Sequence, residues 1–373
     1  MKHLLLGIVC IAVLSGILVA GLWPFHPPRN KVTWLKDNNG LRFGGYGTVM
    51  STGAINEAGS RDGLSCSIEL WLQAALTDNS ATILTFYAPD NPLQPSLHQS
   101  LTDLMLQSGR SNSPGRTREQ RIYISDVFSQ DRSVFVTIAS GAQGTSLYVN
   151  GTLARTTRGF QVMPSGCTGR IIVGDSSRQP DSWSGQMKGL AIYYSELTAP
   201  AVFRHYHAWT QNGQPDVEQN QHIVALYLFN ERAGHIVHNH ARPGVDLFIP
   251  DAYTVLDKVF LKPFWDEFNL SWGYWKNVLK NIAGFVPLGV CFCAYFAMIG
   301  KYKRAGVITI MLGGAVSLTI EVLQAFLPTR DSGTTDIITN TLGTSIGVVL
   351  FNTAIAKWKL LHRRLQIANQ STD

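Results

Sequence analysis

Residues 282–299, IAGFVPLGVCFCAYFAMI, contain no charged side chain. Apolar residues would occupy every side of a helix built from this run, which does not fit an amphipathic surface helix. About 20 residues cross the hydrocarbon core of a bilayer, and this run is close to that length. Three others share its character: Leu4–Leu22 (LLLGIVCIAVLSGILVAGL), Ala305–Ile320 continuing past Glu321 to Leu327, and Ile337–Ala356. The sequence therefore predicts a bundle of four transmembrane helices. The length of the first run favours an uncleaved anchor over a secretory signal peptide, whose apolar stretch is usually about 7–15 residues.

Basic residues orient these helices. Lys301, Lys303 and Arg304 fill the short link between the second and third runs, and Lys357, Lys359, Arg363 and Arg364 follow the fourth. The positive-inside rule places both segments, and hence both termini, in the cytoplasm. Residues 23–281 and 328–336 are then extracytoplasmic. With Lys2, the inner segments hold eight of the 31 basic residues and, in Asp373, one of the 25 acidic ones, leaving 23 and 24 elsewhere. The net charge of +6 is thus a topology signal and needs no nucleic-acid partner to explain it. A charged fraction of 15%, against about a quarter in soluble domains, agrees with a chain partly buried in lipid.

Between Lys31 and about Pro250 the pattern changes to short alternating runs bounded by Gly, Asn, Asp and Ser: Leu41–Met50, Ser65–Ala75, Ala81–Tyr87, Arg121–Ser125, Val134–Ala139, Ser146–Asn150, Arg170–Gly174 and Leu190–Tyr194. Such spacing predicts an all-β sandwich or barrel. Asn150-Gly151 marks a tight hairpin, because a type I′ turn needs two positive φ angles. A short helix is expected over Thr198–Trp209, with Thr198 as N-cap. Cys66 and Cys167 fall in this external region, where a disulfide and two buried thiols both fit the sequence.

Ser67-Ile-Glu-Leu-Trp-Leu, Leu147-Tyr-Val-Asn-Gly, Ile172-Val-Gly-Asp and Trp183-Ser-Gly-Gln-Met-Lys-Gly-Leu-Ala-Ile-Tyr, followed by Leu197-Thr-Ala-Pro-Ala-Val, resemble successive elements of a laminin-G-like, concanavalin-A-like jelly roll. Ala225-Leu-Tyr-Leu-Phe-Asn-Glu resembles a phrase that opens such domains, here displaced to the end. The resemblance implies a binding module, often for carbohydrate. Lys188-Gly189 stands where the family commonly has an acidic pair, which weakens a calcium site. The paired carboxylates of the family's glucanases, which glycoside hydrolysis requires, are missing. Trp183, Tyr87 and Trp209 are candidate sugar-stacking rings, while Trp71 reads as core. His222, His235, His238 and His240 lack the Cys or carboxylate partners of a usual zinc set, so neither a metal nor a cofactor is expected.

Polar residues inside membrane helices mark function or helix pairing. Asn277 and Asn281 lie one turn apart, Ser317, Glu321 and Gln324 share one helical face, and Asp336, Asn340, Gly343 and Gly347 share another. The topology gathers them at the outer boundary, beside Arg330 and Asp331, where Arg330 can satisfy a carboxylate bidentately. Asn281-Ile-Ala-Gly-Phe-Val-Pro-Leu-Gly, the Ser317/Glu321/Gln324 face and the run from Arg330-Asp331 to Gly347 resemble the VanZ-like membrane family. That resemblance implies a place in the cell envelope and, through the family's name, a link to teicoplanin susceptibility.

The expected organisation is an anchor helix (1–22), an extracytoplasmic jelly-roll sandwich (30–254), a juxtamembrane segment (255–281), three membrane helices (282–357) and a basic cytoplasmic tail (358–373). The expected function is a non-enzymatic plasma-membrane protein that meets the lipid bilayer and an envelope glycan. Two alternatives remain. One is an interfacial enzyme acting on a lipid-linked glycan through Glu321 or Asp336, and the other is a structural scaffold.

Overall fold

The computed structural model describes residues 2–55, 65–89, 94–113, 116–162, 167–178, 180–218, 222–241 and 245–370. Asp373 of the expected basic tail lies outside the described residues, as do the side chains of Lys2, Lys301, Arg363 and Arg364. The chain divides into two compact units: Pro28–Asp257, and Met1–Pro27 together with Lys258–Asp373. Its helices are α1 (Lys2–Leu22), α2 (Ala199–Asn212), α3 (Phe264–Glu267), α4 (Trp272–Phe296), α5 (Tyr302–Gln324) and α6 (Thr334–Gln370).

The first unit is the jelly-roll sandwich. One antiparallel sheet runs Val32–Trp34, Leu41–Phe43, Gly185–Tyr193, Cys66–Ala74, Ser133–Gly141, Gly144–Val149, Thr152–Thr157. The other runs Ile236–Val237, Leu247–Phe248, Val49–Ser51, Arg170–Val173, Ser80–Tyr87, Ser96–Ser100, Asp103–Ser113, Arg116–Ile124. Strand alternation fixes what each side chain meets. Along Cys66–Ala74, Ile68, Leu70 and Leu72 enter the core between the sheets. Glu69 and Trp71 point to the opposite face, where Ala201, Val202 and Trp209 of α2 cover Phe135, Ala139 and Tyr193. Register is set by pairs such as Leu70 with Val136 and Leu190 with Leu70.

The expected run Leu41–Met50 is two strands in different sheets. Gly44, Gly45 and Tyr46, the last at φ 66°, turn the chain between them. Asn150 and Gly151 adopt φ 50° and 76°, the two positive values of the anticipated hairpin. The displaced Ala225 phrase forms Ile223–Tyr227, an edge strand beside Gly185–Tyr193. In the other sheet Ile236–Val237 pairs with Leu247–Phe248, which pairs with Val49–Ser51, so the segment beyond α2 gives one strand to the first sheet and two to the second. The Cys66 and Cys167 sulfurs are joined in a disulfide.

In the second unit α1, α4, α5 and α6 are each long and apolar enough to cross a membrane. Helix α4 begins at Trp272, ahead of the apolar run, because Ser271 caps it by accepting the Tyr274 amide at 3.3 Å. Glycines bring α4 and α6 together: a Cβ on Gly289 would strike the Thr344 carbonyl, and one on Gly343 would strike the Ile282 carbonyl. Small residues at such a crossing let two backbones approach closely, which is how helices associate where lipid removes the hydrophobic drive.

Candidate functional site

The C-terminal ends of α1 and α5 and the N-terminal ends of α4 and α6 meet at one end of the bundle. There Asn281 Nδ2 donates to Asp336 Oδ1 at 2.7 Å, and Asn340 Nδ2 donates to Ser317 Oγ at 2.9 Å. Glu321, 1% exposed, accepts the Gly333 amide on Oε2 at 2.8 Å, while Ser332 Oγ donates to its carbonyl at 2.9 Å. The Gly333 amide immediately precedes α6 and the Thr335 amide lies in its first turn, where helical bonding leaves N–H groups unpaired and the helix dipole attracts carboxylates. Gln324 Nε2 donates to the Gly21 carbonyl at 2.8 Å, tying α5 to α1.

Three expected members behave otherwise. Arg330 donates to the Trp23 carbonyl, not to a carboxylate. The last carbonyls of α1 lack helical donors, and a cation satisfies them. Asn277 is exposed, since α6 starts opposite Asn281 and offers no residue one turn further out. Asp331 is exposed on the link between α5 and α6.

Two charged residues completing this end were not foreseen. Glu267 of α3 accepts the Thr335 amide on Oε2 at 3.0 Å. Lys258 Nζ donates to the carbonyls of Gln324, at 2.6 Å, and Leu327. Burial lowers the Lys258 ammonium below the usual lysine range, against the opposing charges of Asp331 and Glu321. No spacing signal marks these residues, because both reach partners more than sixty positions away.

On the sandwich, Glu69 is fully buried and gathers three donors or partners: His205 Nδ1 at 2.9 Å, Tyr193 Oη at 2.8 Å and Trp209 Nε1 at 3.1 Å. Burial, and then the adjacent Glu69, push the Tyr193 phenol well above its ordinary range. This network pins α2 to the sheet. Trp209 is therefore a core residue and not a sugar platform. Trp183 is likewise buried between the sheets, donating to Gln99 Oε1 at 2.7 Å and packed 6.0 Å from Phe43. Tyr87 is half-buried at a strand end.

Trp71, expected in the core, is half-buried: it packs against the Phe135, Tyr193 and Trp209 cluster and also lines an open cavity of about 550 Å³ with Asp126, Arg132, Asn150, Tyr206 and Thr210. The Lys188 ammonium lies 5.4 Å from the centre of the Trp71 ring and donates to Ser133 Oγ at 2.8 Å. Burial holds Lys188 below the usual lysine range. Aromatic faces beside a cation, a carboxylate, an amide and hydroxyls make a surface that can stack and hydrogen-bond a polar ring. His235 bonds the Ile249 carbonyl and His238 faces Asp246 at 3.2 Å. Among the described residues, no group of three or more His, Cys, Asp or Glu is arranged to hold a metal.

Residues 44–203 match the concanavalin A-like lectin/glucanases superfamily, and residues 202–356 match the VanZ/LLP1 family, starting within α2. No curated protein matches the chain. Similar solved structures include a putative carbohydrate binding protein from Bacteroides ovatus ATCC 8483, at 12% identity and TM-score 0.40 over 60% of this chain and 63% of that one. The receptor binding domain of botulinum neurotoxin D is similar at 14% identity and TM-score 0.38, over 56% and 60%. The binding domain of botulinum neurotoxin DC, in complex with rat synaptotagmin II, is similar at 18% and 0.36, over 48% and 45%. The chain thus spans 45 to 63% of the lengths of these solved chains. It is a membrane protein that joins a β-sandwich matched by the concanavalin A-like lectin/glucanases superfamily to a helical region matched by the VanZ/LLP1 family.

Proposed function

We propose that this chain is a non-catalytic protein of the bacterial plasma membrane whose sandwich binds an envelope glycan outside the cell. Its helices would act in cell-wall or exopolysaccharide processes, with glycopeptide (teicoplanin) susceptibility as one readout. The observation that carries the reading is the cavity beside Trp71 and Tyr206, on a fold shared with lectins. The basic residues flanking the membrane runs support cytoplasmic termini.

The test is binding of the full chain, in detergent, to peptidoglycan fragments and bacterial exopolysaccharides. Selective binding that Trp71→Ala and Tyr206→Ala abolish, in chains that still unfold cooperatively, is the expected outcome. Binding that survives both substitutions removes the cavity from the reading. Absence of any binding by the folded chain removes the glycan.

A further inference from the structure

Between the sandwich and α4 the chain presents an unusual surface. Phe260, Phe264, Trp265, Phe268, Leu270 and Trp272 are each 49–81% exposed within one short stretch. Soluble monomers rarely leave so many large apolar side chains together in water. Backbone bonds hold the stretch against the end of the bundle. Lys262 N donates to the Ser332 carbonyl at 2.9 Å, Thr334 N donates to the Lys262 carbonyl at 2.9 Å, and Glu267 accepts the Thr335 amide. The stretch is thereby tied beside the start of α6, and the chain runs on from it into α4 at Trp272. At the same end, Trp23 and Phe25 lie exposed just beyond α1, with Trp23 tied to Arg330.

The stretch is too short to span a bilayer and too polar for its hydrocarbon, since Lys262, Asp266 and Asn269 are interspersed. Part of its polar backbone is satisfied locally. Asn269 Nδ2 donates to the Glu267 carbonyl at 3.3 Å, and Asn269 Oδ1 accepts the Ser271 amide at 3.0 Å. Aromatic rings flanked by polar groups settle at the headgroup level, where an apolar face enters about 5–10 Å.

We infer that residues 259–272 form an aromatic collar lying in the membrane interface, at the end of the bundle that holds the polar cluster. Its partner is the boundary between phospholipid headgroups and acyl chains. The collar is a lipid contact of the helical unit and is independent of the glycan reading.

The test is tryptophan quenching in the full chain, reconstituted into phosphatidylcholine–phosphatidylglycerol vesicles. The vesicles carry a nitroxide either near the headgroup or at the end of the acyl chain, and iodide probes the aqueous side. The emission lost on Trp265→Phe, which keeps an apolar ring, isolates the Trp265 signal. We expect that signal to be quenched most by the shallow nitroxide and little by iodide. Quenching by iodide alone, quenching mainly by the deep nitroxide, or resistance to all three would each overturn the collar. A melting temperature equal to wild type confirms that Trp265→Phe folds, and Trp272→Phe, read the same way, gives a second reporter.

Discussion

Asn281 and Asp336 stand fifty-five positions apart, yet the Asn281 amide donates to the Asp336 carboxylate at 2.7 Å, joining α4 to the first turn of α6. One turn further along α6, Asn340 bonds Ser317 of α5. Two amides on three helices thus define the polar end of the bundle, and the remaining polar contacts there are to backbone groups at helix ends.

Replacing Asn281 by Ala leaves the Asp336 carboxylate without its side-chain donor. Hydrogen bonds between membrane helices contribute about 0.6–2 kcal/mol, and Asn281→Ala is expected to destabilise the bundle by that amount in a detergent unfolding titration. Asp336→Asn still offers an acceptor and should lose less. Equal losses in the two variants would mean that charge, and not the hydrogen bond, holds the contact.

Glycines set the spacing of α4 and α6. Gly343→Ala places a methyl against the Ile282 carbonyl, a backbone atom that moves only if the helices part. The expected cost is about 1–3 kcal/mol. Gly284→Ala, on the same pair of helices, meets nothing within 4 Å and should be silent. The comparison is read from thermal unfolding in one detergent. A neutral Gly343→Ala would contradict the close approach.

The tryptophans of the sandwich should separate by role. Trp209→Ala empties a fully buried site and removes a donor to Glu69, with an expected loss of about 3–5 kcal/mol. Trp71→Ala removes a half-buried ring at the cavity and should cost less stability while removing ligand binding. Calorimetry of both variants, with a glycan-binding assay on the same samples, decides the assignment.

Burial raises the Asp175 carboxyl above its ordinary value of 3.8, although it accepts the Ser176 amide at 2.7 Å, the Asp181 amide at 2.8 Å and the Ser182 hydroxyl at 2.8 Å. The folded state therefore holds this proton more tightly than the unfolded chain does. Its contribution improves as pH falls from the raised folded value towards 3.8 and is constant outside that window. In Asp175→Asn that part of the pH dependence should vanish, along with about 1 kcal/mol from the altered hydrogen bonds. The check is melting temperature against pH from about 4 to 7. An unchanged slope would place the titration elsewhere.

Hydropathy and local alternation were enough to determine the architecture. Four uncharged runs dictated four long helices because no other element satisfies every backbone group inside lipid. Alternating runs with turn residues between them dictated a sandwich, and Asn150-Gly151 fixed a hairpin because few residue pairs tolerate two positive φ angles. The helical spacing of Ser317, Glu321, Asp336 and Asn340 put each pair on one face of its helix, since helix geometry is local. Tertiary structure decided which aromatics are buried. Trp183 disappears between the two sheets and Trp209 beneath α2 while Trp71 lines the cavity, because burial depends on which sheet or helix covers a face, and the sequence of one strand does not contain that information. It also turned Arg330 to the Trp23 carbonyl and supplied Glu267 and Lys258, whose partners are unpaired backbone groups at helix ends. Such groups leave no mark in side-chain spacing, and they become partners only when the chain brings those ends together.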